Sequence, residues 1–156
     1  MENDSVKGSR KTITVLIPCC NEQEALPILF DRMDALVASD DPRFGYLLLF
    51  VDDGSKDGTR SLIRQYAAEH DYVEYIFLSR NFGKEKAMFA GIQAMHTDAM
   101  VIVDADLQDP PELIPDMAAL WLQGYDDVYA RRRSREGESW LKKKTSHMYS
   151  VSYTHL

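Results

Sequence analysis

The 156-residue chain predicts an α/β fold: a mostly parallel sheet with helices on both faces. Two observations carry this expectation. Short apolar, β-branched runs alternate with segments of helical spacing, the order that builds parallel sheets. Three loop clusters, Pro18–Glu22, Asp52–Ser55 and Asp104–Gln108, each follow such a run, where ligands bind in open parallel sheets.

The elements follow in order. Thr12–Ile17 reads as a first strand halted by Pro18, and Glu22 to Ala38 has helical spacing through Ala25, Leu26, Leu29, Met33, Leu36 and Val37. Asp40-Asp41-Pro42 breaks that helix. Tyr46–Val51 is a second strand, Asp57–His70 a helix with Leu62, Ile63, Tyr66 and Ala67 on its apolar stripe, and Tyr72–Leu78 an alternating third strand. Lys84–Met95 is a helix rich in Ala and Met, Ala99–Val103 a fourth strand, Pro111–Gln123 a helix and Asp127–Ala130 a short fifth strand. Asp109 is expected to cap the Pro111 helix, with Glu112 in its first turn beside the dipole.

Composition bounds the function. A chain that is 45% hydrophobic and 28% charged belongs with folded globular domains. Its net charge of −7 argues against nucleic acid as a partner, which demands a basic footprint. The charge is unevenly spread. Arg131, Arg132, Arg133, Arg135, Lys142, Lys143 and Lys144 face only Glu136 and Glu138, so residues 131–144 carry +5 and the remainder −12. The only cysteines, Cys19 and Cys20, are adjacent, a spacing that disfavours a relaxed disulfide and fits a reducing compartment. No zinc-ligand spacing and no run of 18 apolar residues occurs in the sequence.

The chemistry concentrates at Val101-Ile102-Val103-Asp104-Ala105-Asp106-Leu107-Gln108. Carboxylates packed at a strand end repel one another unless a cation sits among them. Mg2+ or Mn2+ fits, taking one or two carboxylates and sharing its remaining positions with water and substrate phosphate. A solvated acidic turn is the plainer reading of the same residues. Asp53 equally reads as a cap for the helix beyond Asp57 or a turn residue at Gly54, and Glu22 as a first-turn acid. Lys84 reads first as a solvated loop lysine and second as a phosphate contact.

Taken together, Pro18-Cys19-Cys20-Asn21-Glu22, Val51-Asp52-Asp53-Gly54-Ser55, Asp104-Ala105-Asp106, Leu107-Gln108-Asp109-Pro110-Pro111-Glu112 and Ser79-Arg80-Asn81-Phe82-Gly83-Lys84 resemble family 2 glycosyltransferases. Within that family they are similar to the polyprenyl-phosphate hexosyltransferases of the dolichol-phosphate mannose synthase and bactoprenol glucosyltransferase type. The resemblance covers Thr12 to Tyr149 and implies a GT-A fold, a three-layer α/β/α sandwich. It implies a catalytic domain over 12–149 that stops before a membrane-associated part; the polar stretch 1–11 reads as a flexible N-terminus, and 150–156, without a recognisable pattern, as a non-native or disordered tail.

The resemblance also assigns roles. Pro18, Cys20, Glu22, Val51 and Asp53 match the nucleotide-sugar pocket. Asp104 and Asp106 match the metal and diphosphate site, with Gln108 as a further metal ligand. Arg132, next to Arg131, together with Lys142 and Ser146, matches the basic segment that closes over the diphosphate. Asp104, Asp106 and Arg132 form the implied catalytic set. Where such enzymes commonly carry an aromatic residue this chain has Cys20, so base stacking is expected to be weaker.

The implied reaction is metal-dependent, inverting transfer of a hexose from a UDP- or GDP-linked donor to a polyprenyl phosphate. Its implied place is the cytoplasmic face of a membrane, with the residues in hand a soluble cytoplasmic piece. Rival readings are a phospho-receiver-like domain and an inactive nucleotide-sugar-binding domain. A nucleotidyltransferase would need a glycine-rich, Arg-containing first loop, and a P-loop NTPase a Gly-x-x-x-x-Gly-Lys-Ser/Thr motif, which is absent.

Overall fold

The computed structural model describes residues 10–39, 41–106, 108 and 110–130. The chain divides into two units, 1–115 and 116–156; the sheet and the residues that line the cleft described below belong to the first. In order come β1 (Lys11–Cys19), α1 (Leu26–Val37), β2 (Phe44–Asp52), α2 (Thr59–Glu69), β3 (Val73–Phe77), α3 (Lys84–Ala94) and β4 (Ala99–Ile102). A 3-10 turn, Pro111–Leu113, then leads into α4 (Ile114–Trp121).

All four strands pair in parallel in the order β3-β2-β1-β4. The side-chain alternation of a strand divides the core in two. On one face Phe50 of β2 meets Phe30 of α1 and Tyr66 of α2 edge-on, at ring-centroid distances of 5.7 and 6.1 Å, while Phe30 and Tyr66 stack at 4.0 Å. On the other face Leu16, Leu49 and Val51 pack with Ala87 of α3. Each fully buried Leu, Ile, Val or Phe side chain contributes about 1.5–3 kcal/mol of transfer free energy. Two strands buried almost throughout therefore hold the sheet between its helices. The result is the expected α/β/α sandwich.

Several boundaries differ from the sequence expectation, each for a local reason. Pro18 does not halt β1, which continues to Cys19 in register with Asp52. Strand residues alternate between their two neighbours, and Leu16 accepts the Val103 N–H from the β4 side while Cys19 accepts the Asp53 N–H from β2. Pro18 shares the orientation of Leu16, so its missing donor is owed only to β4, whose pairing ends at Ile102.

The first helix starts at Leu26 rather than Glu22; residues 22–25 form a turn in which the Glu22 carbonyl accepts the Ala25 and Leu26 N–H groups, while Glu22 and Gln23 are tied to the start of α2. Glu22 N–H donates to Thr59 Oγ1 at 2.8 Å, and Gly58 N–H to Gln23 Oε1 at 2.7 Å. The first turn of α1 carries no acid, so Glu22 is not the dipole-stabilising residue expected. The expected fifth strand at Asp127–Ala130 is not formed. That run holds two bulky apolar residues, and Tyr129 is 79% exposed, so it has no face to bury. The expected cap Asp109 lies outside the described residues; Glu112 lies in the first turn as expected and also forms a two-point ion pair with Arg32 of α1, at 2.9 and 2.6 Å.

Candidate functional site

Strand order reverses direction at β1, with β2 on one side and β4 on the other. In such sheets the loops leaving the two flanking strands part and open a crevice. A cleft of about 280 Å³ lies there. The end of β1 and its loop supply Pro18, Cys19, Cys20 and Glu22; β2 supplies Asp53; β4 supplies Asp104, Ala105 and Asp106. The approach to α3 supplies Asn81, Gly83 and Lys84, with Ala87 one turn in. The carboxylates following the second and fourth strands thus share one hollow.

The β1 and β2 loops are laced together. Asn21 sits at φ +58°, a left-handed conformation that Asn tolerates. Its N–H donates to Ser55 Oγ and its Oδ1 accepts the Lys56 N–H, both at 2.8 Å. Asp57 accepts the Thr59 N–H at the start of α2. Against a desolvation penalty, bonds from Thr59 and Gln23 hold its carboxyl below the usual range. Asp57, rather than Asp53, therefore serves the start of that helix.

The adjacent acids Asp52 and Asp53 divide their work. Asp52 is fully buried and paired with Arg60, which also reaches the Leu78 carbonyl and lies over the Phe77 ring at 5.2 Å. Asp53, 3% exposed, accepts the Phe82 N–H at 2.7 Å and the Gly83 N–H at 2.8 Å. It clamps the entry to α3. Gly54 makes that clamp possible: at φ +75° an added Cβ would lie 2.4 Å from the backbone of both Arg80 and Asn81. Only a residue without a side chain lets the two loops touch.

Across the cleft, the Lys84 ammonium donates to both oxygens of Asp104, at 2.6 and 2.7 Å. Asp106 is exposed, and its Oδ1 accepts the Gln108 N–H at 3.1 Å. Glu22, half-buried, has its carboxyl pushed up by desolvation and then by the charges of Asp106, Asp57 and Asp104. Burial, followed by the charge of Asp52, drives the Cys19 thiol far above the thiolate range, which removes it as a nucleophile. Cys20 donates to the Asp53 carbonyl at 3.4 Å and accepts from Asn81 Nδ2 at 3.3 Å.

Among the residues expected at the site, Pro18, Cys20, Glu22, Asp53, Asp104 and Asp106 line the cleft. Val51 does not: it is fully buried beneath α3, so its side chain supports the Asp52-Asp53 turn from inside. Arg131, Arg132, Lys142 and Ser146 lie outside the described residues. Lys84 is an ion-pair partner of Asp104 rather than a merely solvated lysine. Asn81 joins the wall without having been singled out. Its motif was visible, but its orientation depends on the Asp53 clamp.

The charges bear on a divalent cation. Among the described residues, four carboxylates (Glu22, Asp53, Asp104 and Asp106) line the cleft against one cation, Lys84. Among the described residues no three Asp, Glu, His or Cys side chains converge as a ready-made cage. Asp104 and Asp106 offer hard oxygen donors at the cleft, and Mg2+ or Mn2+ take one or two carboxylates and complete their shell with water and phosphate. The donor set fits such an ion.

Comparison with known proteins agrees with this architecture. The family model for glycosyl transferase family 2 matches residues 14–156. The undecaprenyl-phosphate 4-deoxy-4-formamido-L-arabinose transferase of Aeromonas hydrophila is 40% identical over 143 residues, 91% of this chain and 43% of that protein. The prophage bactoprenol glucosyl transferase homolog of Escherichia coli is 37% identical over 137 residues, 88% of this chain and 44% of its own length. The chain thus spans less than half the length of these curated relatives. Among solved structures, a mannosyltransferase from Pyrobaculum calidifontis, in complex with GDP-Man and Mn2+, superposes with a TM-score of 0.58 at 27% identity. The match covers 76% of this chain and 34% of that one. With its sheet order, its acid-lined cleft and these matches, the chain belongs to glycosyl transferase family 2 and has the GT-A fold.

Proposed function

We propose that this chain is the donor-binding part of a glycosyltransferase that moves a hexose from a UDP- or GDP-linked sugar to a polyprenyl phosphate at the cytoplasmic face of a membrane. One observation carries the reading: the acids following β2 and β4 line a single cleft at the strand-order reversal. The relatives named for transfer to undecaprenyl phosphate and bactoprenol support the acceptor class, and the GDP-mannose and Mn2+ complex supports the donor class. No described helix is long and apolar enough to cross a membrane.

In this reading Pro18, Cys20, Glu22 and Asp53 shape the nucleotide pocket. Asp53 orders the Phe82–Gly83 wall through its two amide bonds. Asp104 and Asp106, with Gln108 as a further ligand, would hold Mg2+ or Mn2+, which supplies Lewis-acid stabilisation of charge on the departing diphosphate. By the family resemblance Arg132, Lys142 and Ser146 are assigned to the diphosphate, the two basic residues through charge-assisted contacts. The acceptor phosphate, with a second pKa of about 6, is largely dianionic at neutral pH and attacks without a dedicated base. Direct attack opposite the leaving group inverts the anomeric centre.

Calorimetry of UDP-, GDP- and dTDP-sugars with and without Mn2+ tests the donor reading. One nucleotide class binds, and more tightly with Mn2+. Asp106→Asn, at an exposed position, leaves the thermal melt unchanged and removes the Mn2+-dependent gain in binding and sugar transfer. An unchanged Mn2+ gain in that variant refutes the assignment.

A further inference from the structure

We propose that Lys84 is a built-in counter-ion that competes with a divalent cation for Asp104 and so sets the metal affinity of the cleft. The inference rests on the metal reading above and deepens it.

Three features of the structure lead there. The Lys84 ammonium engages both oxygens of Asp104, at 2.6 and 2.7 Å. A cation bound by Asp104 must take at least one of those oxygens, so the two positive groups draw on the same carboxylate. Second, Lys84 is the first residue of α3, and the helix dipole disfavours a cation at that end. Helix stability therefore does not account for a lysine here, whereas Asp104 does. Third, the amides of Phe82 and Gly83 immediately before it are held by Asp53, so Lys84 is delivered to Asp104 from a fixed base. Acids following two strands thus hold the same helix start from both sides of β1.

The pair is built to be exchanged. Its side chains are 56% and 35% exposed, and ion pairs at such positions contribute little to stability. A doubly charged ion with water and phosphate to complete its shell displaces the ammonium without unfolding anything. Lys84 then becomes a free cation beside the cleft. Its proximity lowers the affinity for metal alone and favours a metal that arrives with an anionic diphosphate. Lys84 is in this sense a positioning residue for Asp104.

The test titrates Mn2+ alone into the full chain and reads free Mn2+ by electron paramagnetic resonance. Removing one positive charge roughly 6 Å from a doubly charged ion changes its affinity by about tenfold even at the dielectric constant of water. Lys84→Met therefore binds Mn2+ about tenfold more tightly than wild type, and Lys84→Arg restores the wild-type value. Lys86→Met removes an exposed lysine that lies over the Phe82 ring and changes Mn2+ affinity by less than about twofold. A merely structural lysine would give weaker or unchanged binding on removal, never tighter. Equal or weaker Mn2+ binding by Lys84→Met, with wild type binding normally, overturns the counter-ion role and leaves the metal reading standing. No Mn2+ binding by wild type with any nucleoside diphosphate overturns the metal reading and this inference with it.

Discussion

Replacing Gly54 with alanine places a methyl group where two loops already touch. The added carbon would sit 2.4 Å from Arg80 C and Asn81 N and 2.8 Å from Arg80 Cα, and these are backbone atoms that no rotamer change can clear. The residue also sits at φ +75°, which costs an L-residue about 1–2 kcal/mol. Overpacking adds about 1–3 kcal/mol, and the stiffer unfolded chain returns about 0.4–1 kcal/mol. The net loss is about 3 kcal/mol, which for a domain of this size lowers Tm by about 6–12 °C. Gly83→Ala separates the two causes. Gly83 is also at positive φ, +97°, but a Cβ there meets nothing within 4 Å, so it pays only the torsional cost. Differential scanning fluorimetry ranks the two variants, and hydrogen exchange at the Phe82 amide reports whether the Asp53 clamp has opened. A Gly54→Ala variant whose melt is unchanged from wild type, with Phe82 still protected, refutes the loop-contact argument.

Other perturbations test neighbouring parts of the same framework. Asp53→Ala removes two charge-assisted bonds; the Gly83 amide keeps Asn81 Oδ1 at 3.1 Å while the Phe82 amide loses its partner. Stability falls by about 2–4 kcal/mol, read by urea melts, and an unchanged midpoint counts against the clamp. Arg60→Ala leaves Asp52 buried without its cation and costs about 3–5 kcal/mol; a loss below about 1 kcal/mol in the same melts shows that Asp52 does not depend on Arg60. The carboxyl of Glu22 is raised by desolvation and by Asp106, Asp57 and Asp104. Its folded pKa therefore lies above the unfolded value, and its favourable contribution, complete at acid pH, is lost as pH rises through the folded pKa. Glu22→Gln accordingly raises the unfolding free energy at pH 7 but not at pH 4, by about a few tenths of a kcal/mol after solvent screening, read by urea melts; a gain of the same size at both pH values contradicts the charge-cluster explanation.

Much of this was legible in the sequence because it is local. Apolar runs located all four strands, and the loop clusters placed Pro18, Glu22, Asp53, Asp104 and Asp106 at strand ends, where the cleft contains them. The ambiguous assignments involve partners far apart along the chain. Whether Asp53 faces a helix start or a ligand depends on how the loop after β3 folds back, 29 and 30 residues away. Lys84 and Asp104 meet across 20 residues, and no periodicity encodes that meeting. Val51 fell on the wrong side because strand alternation defines two faces but not which of them opens to solvent; α3 covers the one it occupies. The short run Asp127–Ala130 had strand-forming residues but nothing to bury, and propensity without burial does not make a strand.

Pro18 explains why the cleft opens between β1 and β4 rather than between β1 and β2. On the β2 side the ladder runs to the end of the strand: Cys19 pairs with Asp52 and accepts the Asp53 N–H at 2.9 Å. That bond holds the Asp52-Asp53-Gly54 turn against β1 and points the loop at the start of α3. On the β4 side the last bond is Val103 N–H to the Leu16 carbonyl at 3.0 Å, and the next donor along β1 would come from residue 18. Proline has none to offer, so β4 is released from the sheet just before Asp104. A hydrogen-bonding residue at 18 would extend the ladder and draw Asp104 toward the sheet. The proline instead leaves Asp104 and Asp106, either side of the buried Ala105, in the cleft with Glu22, where their charges accumulate. One missing N–H thus converts a regular sheet edge into an acidic hollow, and the reversal of strand order at β1 places that hollow opposite the Asp53-anchored helix carrying Lys84.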